Sequence, residues 1–159
     1  MLRNSAGILM FRDRGHGLEV LLAHPGGPYW ARKDDHAWSI PKGEFDPVIE
    51  DAFEAAKREL GEETGATVTP PVAPLRLTPL KQPGGKLVHA FAVEQDFDTT
   101  AFRSSTFSLE WPPRSGHVRQ FPEVDRVAWF SVEAARTKLL TGQLGFLDQL
   151  IRALTPADR

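Results

Sequence analysis

Three glutamates, Glu59, Glu62 and Glu63, lie close together in the run from Arg58 to Gly65. At about 100° per residue, they share one arc of a helix roughly 100° wide. Like charges at this spacing repel, and carboxylates near the carboxyl end of a helix oppose its macrodipole. A bound divalent cation such as Mg²⁺ or Mn²⁺ is the simplest compensation, because hard cations prefer oxygen ligands. The spacing therefore favours metal-dependent chemistry.

The structural alternative is that these glutamates form a solvated helix face, as most glutamate runs do. Residues around the run weigh against it, since Arg58, Gly65 and the upstream Glu50 accompany the carboxylates. The segment Pro41-Lys42-Gly43 precedes them and adds a basic residue and a glycine. Together these residues indicate a built site rather than a solvated face.

A helix must present the carboxylates, and the sequence predicts where this helix begins and ends. Asp51 with Glu54 three residues later resembles a capping box, which predicts the helix start. Phe53, Ala56 and Leu60 give an apolar stripe at helical spacing. Gly65 is typical of a helix end.

The remaining elements alternate strands with turns and helices. Apolar runs at 6–11 and 18–23 flank a polar turn and predict a hairpin, and runs at 75–81 and 86–93 flank Gln82-Pro83-Gly84-Gly85 and predict another. We expect further strands at 38–40 and 124–130, a loop at 111–116, and helices from Ser131 to about Leu140 and from Gln143 to Leu154. This mixture predicts one α/β domain over residues 1–159.

Composition excludes several function classes. Apolar residues at 41% and charged residues at 25% are globular values. A net charge of −2 and the lack of a basic stripe disfavour nucleic-acid binding. The absence of cysteine excludes a disulfide framework, a zinc-thiolate site and a cysteine nucleophile. With no signal peptide and no apolar run long enough to span a membrane, we expect a cytoplasmic protein without a membrane partner.

The run from Gly43 to Ala66 resembles the Nudix box. In that box a glycine and a glutamate are followed by Arg-Glu, an aliphatic residue, any residue, Glu-Glu, any residue and Gly. Six residues separate Gly43 from Glu50, where the family pattern has five, so the extra residue lies in the loop before the helix. Segments 5–9, 38–43 and 123–130 also stand where Nudix domains carry similar residues, and the ordering is closest to a branch of predicted bacterial nucleotide pyrophosphohydrolases. The residues that match the box are Glu50, Arg58, Glu59, Leu60, Glu62, Glu63 and Gly65.

The resemblance implies a Nudix αβα sandwich, with a mixed curved sheet and a loop-helix-loop catalytic box. It implies metal-dependent hydrolysis of a pyrophosphate bond, with Glu59 and Glu63 as leading metal ligands and Glu62 in support. The Gly43 carbonyl is a further candidate ligand, and Arg58 with Glu50 forms a bracing pair. Glu123, in a loop before a strand, is a candidate metal ligand or general base. Which of Glu59, Glu123 or another carboxylate removes the proton stays open, because the base varies among Nudix enzymes.

Substrate contacts are less sharply defined. Lys42, Arg32, Lys33 and Arg114 are candidate phosphate contacts, and Trp30 is a candidate stacking platform for a base. The expected partner is a small-molecule nucleotide, with nucleoside triphosphates and dinucleoside polyphosphates ranked above ADP-ribose. The alternative is a Nudix-fold module that binds or senses a nucleotide without hydrolysing it. The oligomeric state is left open.

Overall fold

Two long apolar strands form the centre of the fold. The structure, a computed structural model, describes residues 2–70 and 73–156. Strands β1 (Asn4–Asp13) and β2 (Leu18–Pro25) form an antiparallel hairpin, as the sequence predicts. Almost every side chain of β1 is buried, because helices cover both of its faces.

Five further strands extend this sheet. The order is β4-β6-β1-β2-β9, with β3 paired to β1 and β5 paired to β6. Strand β6 is parallel to β1, whereas β9 is antiparallel to β2, so the sheet is mixed. The bounds are β3 Lys42–Phe45, β4 Leu75–Arg76, β5 Leu80–Lys81, β6 Leu87–Glu94 and β9 Val124–Ser131.

A separate hairpin lies between β6 and β9. Its strands are β7 (Thr106–Glu110) and β8 (Val118–Pro122), which pair only with each other among the described residues. The predicted loop at 111–116 is the turn that joins them. The two strands themselves are not predicted by the sequence.

Three helices pack on the two faces of the sheet. Helix α1 (Ala52–Thr64) covers one face, where its buried Ala55, Ala56 and Leu60 contact alternate side chains of β1. Helices α2 (Val132–Lys138) and α3 (Leu144–Leu154) cover the other, and Phe146 is fully buried there. The predicted αβα sandwich with a mixed sheet is confirmed.

One local prediction near the site is wrong. Residues 38–40 do not form a strand, because Trp38 and Ser39 make only isolated bridges, to Leu139 and Ala23. The strand at this point is β3 instead, which pairs with the first residues of β1. Short polar segments such as Lys42–Phe45 carry little period-two signal, so their pairing depends on the tertiary context.

Within residues 2–70 and 73–156, none of the helices has the length and apolar character that crossing a membrane requires.

Candidate active site

Helix α1 carries the carboxylates at its carboxyl end. Its amino end is capped by the Asp51 side chain, which accepts hydrogen bonds from the backbone N–H groups of Phe53 and Glu54 at 3.1 and 3.2 Å. Gly65 ends it in the left-handed conformation, with a φ of 81°. Both predicted boundaries are therefore confirmed, and the register of the glutamates follows from them.

Gly43 lies directly against the Glu59 carboxylate. A Cβ atom built on Gly43 would overlap both oxygens of that carboxylate. Gly43 pairs with Ala6 of β1, so this face of β3 is turned towards α1. A glycine is required here because the strand and the carboxylate approach so closely.

The extra residue before Glu50 is absorbed in an exposed turn. Asp46 accepts a hydrogen bond from the Val48 N–H to its side chain, and others from Ile49 and Glu50 to its carbonyl. Val48 and Ile49 are 91% and 82% exposed. The insertion therefore changes the surface of the loop and leaves both Gly43 and α1 in place.

Arg58 connects the loop to the carboxylates. Its Nε and Nη2 atoms donate to the two oxygens of Glu50 at 3.0 and 2.9 Å, a bidentate pair. Its Nη1 atom donates to Glu59 Oε1 at 2.7 Å and lies 3.4 Å from Glu62 Oε1. The hydrogen bonds between Arg58 and Glu50 lower the pKa of Glu50 and raise that of Arg58. The pair predicted from sequence thus forms, and it also reaches Glu59.

Glu63 is the most perturbed carboxylate of the site. Burial raises its pKa to about 8. The Lys42 backbone N–H donates to Glu63 Oε1 at 3.2 Å, and this hydrogen bond acts in the opposite direction by lowering the pKa. Burial also raises the pKa of Glu59, which the charge of Glu62 raises further and the Arg58 hydrogen bond lowers. Buried carboxylates that repel one another in this way favour a cation.

A short segment, the 103–105 strap, places Glu123 opposite the end of α1. The backbone N–H groups of Arg103 and Ser105 donate to the carbonyls of Thr64 and Glu62 at 2.9 and 2.7 Å, which satisfies free carbonyls at the helix end. The Glu123 N–H in turn donates to the Ser105 carbonyl at 2.7 Å. The strap therefore ties the last turn of α1 to Glu123.

These elements enclose a cleft of about 370 Å³. It brings together six of the residues singled out in the sequence, on α1, on β3 and in the loop before β9. Of three further residues at the cleft, two have no signal in the sequence that sets them apart, and the third, Lys86, is one of the basic residues that the sequence offers as phosphate contacts. The predicted residues are Lys42, Gly43, Glu59, Glu62, Glu63 and Glu123, and the others are Glu44, Lys86 and Ser105.

The donor set fits a hard divalent cation. The cleft offers carboxylate oxygens without thiolate or imidazole ligands among its described lining residues, which suits Mg²⁺ or Mn²⁺. In the described part of the chain, no three acidic or histidine side chains converge into a preassembled metal cluster. Mg²⁺ needs no such cage, since it usually takes one or two carboxylates together with waters and substrate phosphates.

Two adjoining cavities share Lys42 with the cleft. One, of about 250 Å³, has a mainly apolar wall that includes Trp30, Ala37 and Leu140. The other, of about 320 Å³, has a wall of mixed polarity that includes two lysines, Lys42 and Lys86, and Thr141. Burial lowers the pKa of Lys42, and the nearby Lys86 lowers it further. A ligand could therefore extend from the carboxylates in two directions.

Other predicted contacts lie apart from the cleft. Arg32 and Lys33 are exposed, and the Lys33 ammonium lies 4.9 Å from the centre of the Trp30 ring. Arg114 is exposed in the β7–β8 turn. None of these three is among the described residues that line the cleft or the two adjoining cavities. Their roles as phosphate contacts stay predictions.

A larger apolar groove of about 400 Å³ lies elsewhere, between the β1–β2 hairpin and α3, and includes Phe11, Leu18 and Ile151. It lacks the cluster of carboxylates, so we place the chemistry at the smaller cleft.

Residues 1–150 match the NUDIX domain family. The chain therefore belongs to the Nudix family, and the resemblance seen in its sequence is confirmed.

Curated relatives are similar in sequence to this chain over part of their length. The chain is 42% identical over 64 residues to an RNA pyrophosphohydrolase of Rhodopseudomonas palustris, which is 40% of this chain and 31% of the relative. It is 43% identical over 63 residues to an RNA pyrophosphohydrolase of Bradyrhizobium, which is 40% of this chain and 30% of the relative. The matches thus span about a third of the relatives' length.

Solved structures share the fold over nearly the whole chain. A Caenorhabditis elegans Ap4A hydrolase in a binary complex has a TM-score of 0.65 at 22% identity, covering 94% of this chain and 96% of that one. The NUDIX domain of Shewanella oneidensis NrtR in complex with ADP ribose has a TM-score of 0.66 at 17% identity, with coverages of 98% and 90%. At these identities the likeness concerns the fold.

Proposed function

We propose that this protein is a metal-dependent pyrophosphohydrolase that cleaves a nucleoside diphosphate linked to another moiety. The observation that carries the proposal is the cleft in which Glu59, Glu62, Glu63 and Glu123 face Lys42. Carboxylates hold the cations that neutralise a pyrophosphate, and a lysine beside them contacts a phosphate oxygen directly. The relatives named RNA pyrophosphohydrolase support the same reaction class.

The chain's own residues have separable tasks. Glu59, Glu62 and Glu63, with the Gly43 carbonyl, would hold Mg²⁺ or Mn²⁺, which supplies charge neutralisation and a more acidic water. Arg58 keeps Glu59 in place through its contact with Glu50. A carboxylate takes one proton from the attacking water, the new O–P bond forms, and the bridging O–P bond breaks. We keep Glu59, Glu63 and Glu123 as the candidate bases.

The two adjoining cavities support a nucleotide with an extended phosphate chain. The cavity beside Trp30 is apolar and suits a base, since stacking on an aromatic ring is worth about 1–3 kcal/mol. The cavity beside Lys86 contains two lysines, Lys42 and Lys86, and suits further phosphates. We therefore rank nucleoside triphosphates and dinucleoside polyphosphates above ADP-ribose.

A panel of substrates tests the reaction. The panel holds nucleoside triphosphates, a dinucleoside polyphosphate, ADP-ribose and an RNA with a 5′-triphosphate, each assayed for phosphate or pyrophosphate release with Mg²⁺ or Mn²⁺. We expect turnover that a chelator abolishes. The 5′-triphosphate RNA is included because of the curated relatives' names.

Matched variants of α1 separate catalysis from folding. Glu63→Gln should reduce turnover about 100-fold or more, while Glu54→Gln should not. Glu54 is on the same helix, is exposed and pairs with Lys57 at 2.8 Å. An active Glu63→Gln variant would refute the metal assignment. Nucleotide binding without turnover in the wild type would instead favour the non-hydrolytic module.

A further inference from the structure

His24 is a buried polar residue that the proposed mechanism does not use. It lies near the end of β2, directly after the apolar run Val20–Ala23, and its side chain is fully buried. Its Nδ1 atom is 2.8 Å from Asp125 Oδ1, and its Nε2 atom is 2.6 Å from the Lys33 carbonyl oxygen. Both ring nitrogens therefore face oxygen atoms.

Both ring nitrogens of His24 form directed hydrogen bonds. A backbone carbonyl only accepts hydrogen bonds, so Nε2 donates to the Lys33 carbonyl. Nδ1 is hydrogen-bonded to the carboxyl group of Asp125, which is 31% exposed and also lies 3.5 Å from Arg126 Nε. The two partners together fix the position of the buried ring.

The two hydrogen bonds join separate parts of the candidate site. Lys33 belongs to the 26–37 loop, and its backbone N–H donates to the carbonyl of Trp30, whose ring lines the apolar cavity. Asp125 follows Glu123 by two residues at the start of β9. His24 thus lies between the wall of the base cavity and the carboxylate across the cleft.

We propose that His24 is a positioning residue whose two ring nitrogens, each hydrogen-bonded, hold the Trp30 loop and the Glu123 segment in register. The inference rests on the proposed function for its kinetic consequence. Its structural content, an imidazole hydrogen-bonded at both nitrogens, does not depend on that function.

Nitrogen NMR of the histidine ring tests the structural content. In ¹⁵N-labelled wild-type protein, we expect ring nitrogen shifts and couplings that show both nitrogens of His24 hydrogen-bonded, with a slowly exchanging Nε2 proton. Exposed His16 serves as the internal reference, with rapidly exchanging ring protons. A His24 ring with a nitrogen free of hydrogen bonds, or with a rapidly exchanging Nε2 proton, would overturn the inference.

Two substitutions at position 24 test the positioning role. The amide nitrogen of asparagine replaces Nδ1, so His24→Asn keeps the Asp125 bond and loses the Lys33 bond. We expect KM for the nucleotide to rise roughly tenfold with kcat nearly unchanged, because the loss of one hydrogen bond weakens binding by about this factor. The amide nitrogen of glutamine replaces Nε2, so His24→Gln keeps the Lys33 bond and loses the Asp125 bond. We expect kcat to fall roughly tenfold with KM nearly unchanged.

Controls separate this split from a general loss of stability. Asp125→Asn should resemble His24→Gln in its kinetics, and His16→Asn and His16→Gln should match the wild type. If both His24 variants change KM and kcat alike, the residue is only structural and the proposal fails. Should the wild type hydrolyse no substrate, the proposed function fails instead. The ring NMR, with faster amide exchange of Lys33 in His24→Asn than in His24→Gln, then decides the inference alone.

Discussion

The backbone of Gly43 is packed against the carboxylate of Glu59, so that the strand and the helix meet at the centre of the cleft. No side chain fits between them. Glu59 is held from the other side by Arg58 Nη1 at 2.7 Å. Its position is thus fixed by a glycine and an arginine together.

Gly43→Ala should therefore displace the Glu59 carboxylate. We expect turnover to fall about 100-fold, as a shift of about 1 Å does in a positioned site, while the circular dichroism spectrum is retained. Gly61→Ala is the matched control, because a Cβ there meets only the Ala66 carbonyl oxygen at 3.7 Å. It should keep full activity and gain up to about 1 kcal/mol in helix stability. Equal activity of the two variants would contradict the close packing.

Arg58→Lys tests the bidentate contact. Lysine keeps the positive charge but cannot bond both oxygens of Glu50 and reach Glu59 at once. We expect turnover to fall roughly tenfold, with a weaker apparent affinity for Mg²⁺ and a change in unfolding free energy below ~1 kcal/mol, because the pair is partly exposed. Titration of activity with Mg²⁺ measures both the turnover and the apparent affinity. Lys57→Arg, one residue earlier, is the control, and a fully active Arg58→Lys variant would speak against the bracing role.

The partly buried Glu63 should make the stability of the metal-free protein depend on pH. Its pKa in the folded protein, about 8, is above the ordinary value of 4.5. Between these values the folded state holds a proton that the unfolded state has released, so stability falls as pH rises from 4.5 towards 8. The melting temperature should fall less steeply with pH across this range for Glu63→Gln than for wild type or Glu54→Gln. Parallel curves for all three proteins would exclude the shift.

Lys86 should discriminate substrates by the length of their phosphate chain. It lines both the cleft and the adjoining cavity of about 320 Å³, whereas Lys81, on the same hairpin, is exposed and absent from the described lining of either. Lys86→Ala should raise KM for a nucleoside triphosphate roughly tenfold, as loss of a charged hydrogen bond does. KM for a sugar-linked diphosphate should change little. The same loss for both substrates, or for Lys81→Ala, would contradict the extended phosphate cavity.

Local signals explain how much of the site could be predicted. The helix and its register follow from Asp51, Gly65 and the apolar stripe, all within a few residues of the carboxylates. Lys42 and Glu123 owe their place in the cleft to pairings between distant segments; Lys42 is indicated by its place beside Gly43, and Glu123 by the family resemblance. Strand β3 likewise depends on a distant pairing. The β7–β8 hairpin is local, but its strands are short and mostly exposed and flank a proline-containing turn. His24 gives only a weak signal, a polar residue directly after the apolar run Val20–Ala23.

The 103–105 strap has a consequence for folding. Helix α1 forms from contacts within one short segment, whereas the strap must close a long loop before it reaches the end of the helix. The entropy cost of closing that loop arises before the contacts of the strap form. We therefore expect the helix early and the complete cleft late. In a partly folded chain the carboxylates would be placed on the helix before the active site is assembled. The helical circular dichroism signal should therefore recover faster during refolding than turnover does.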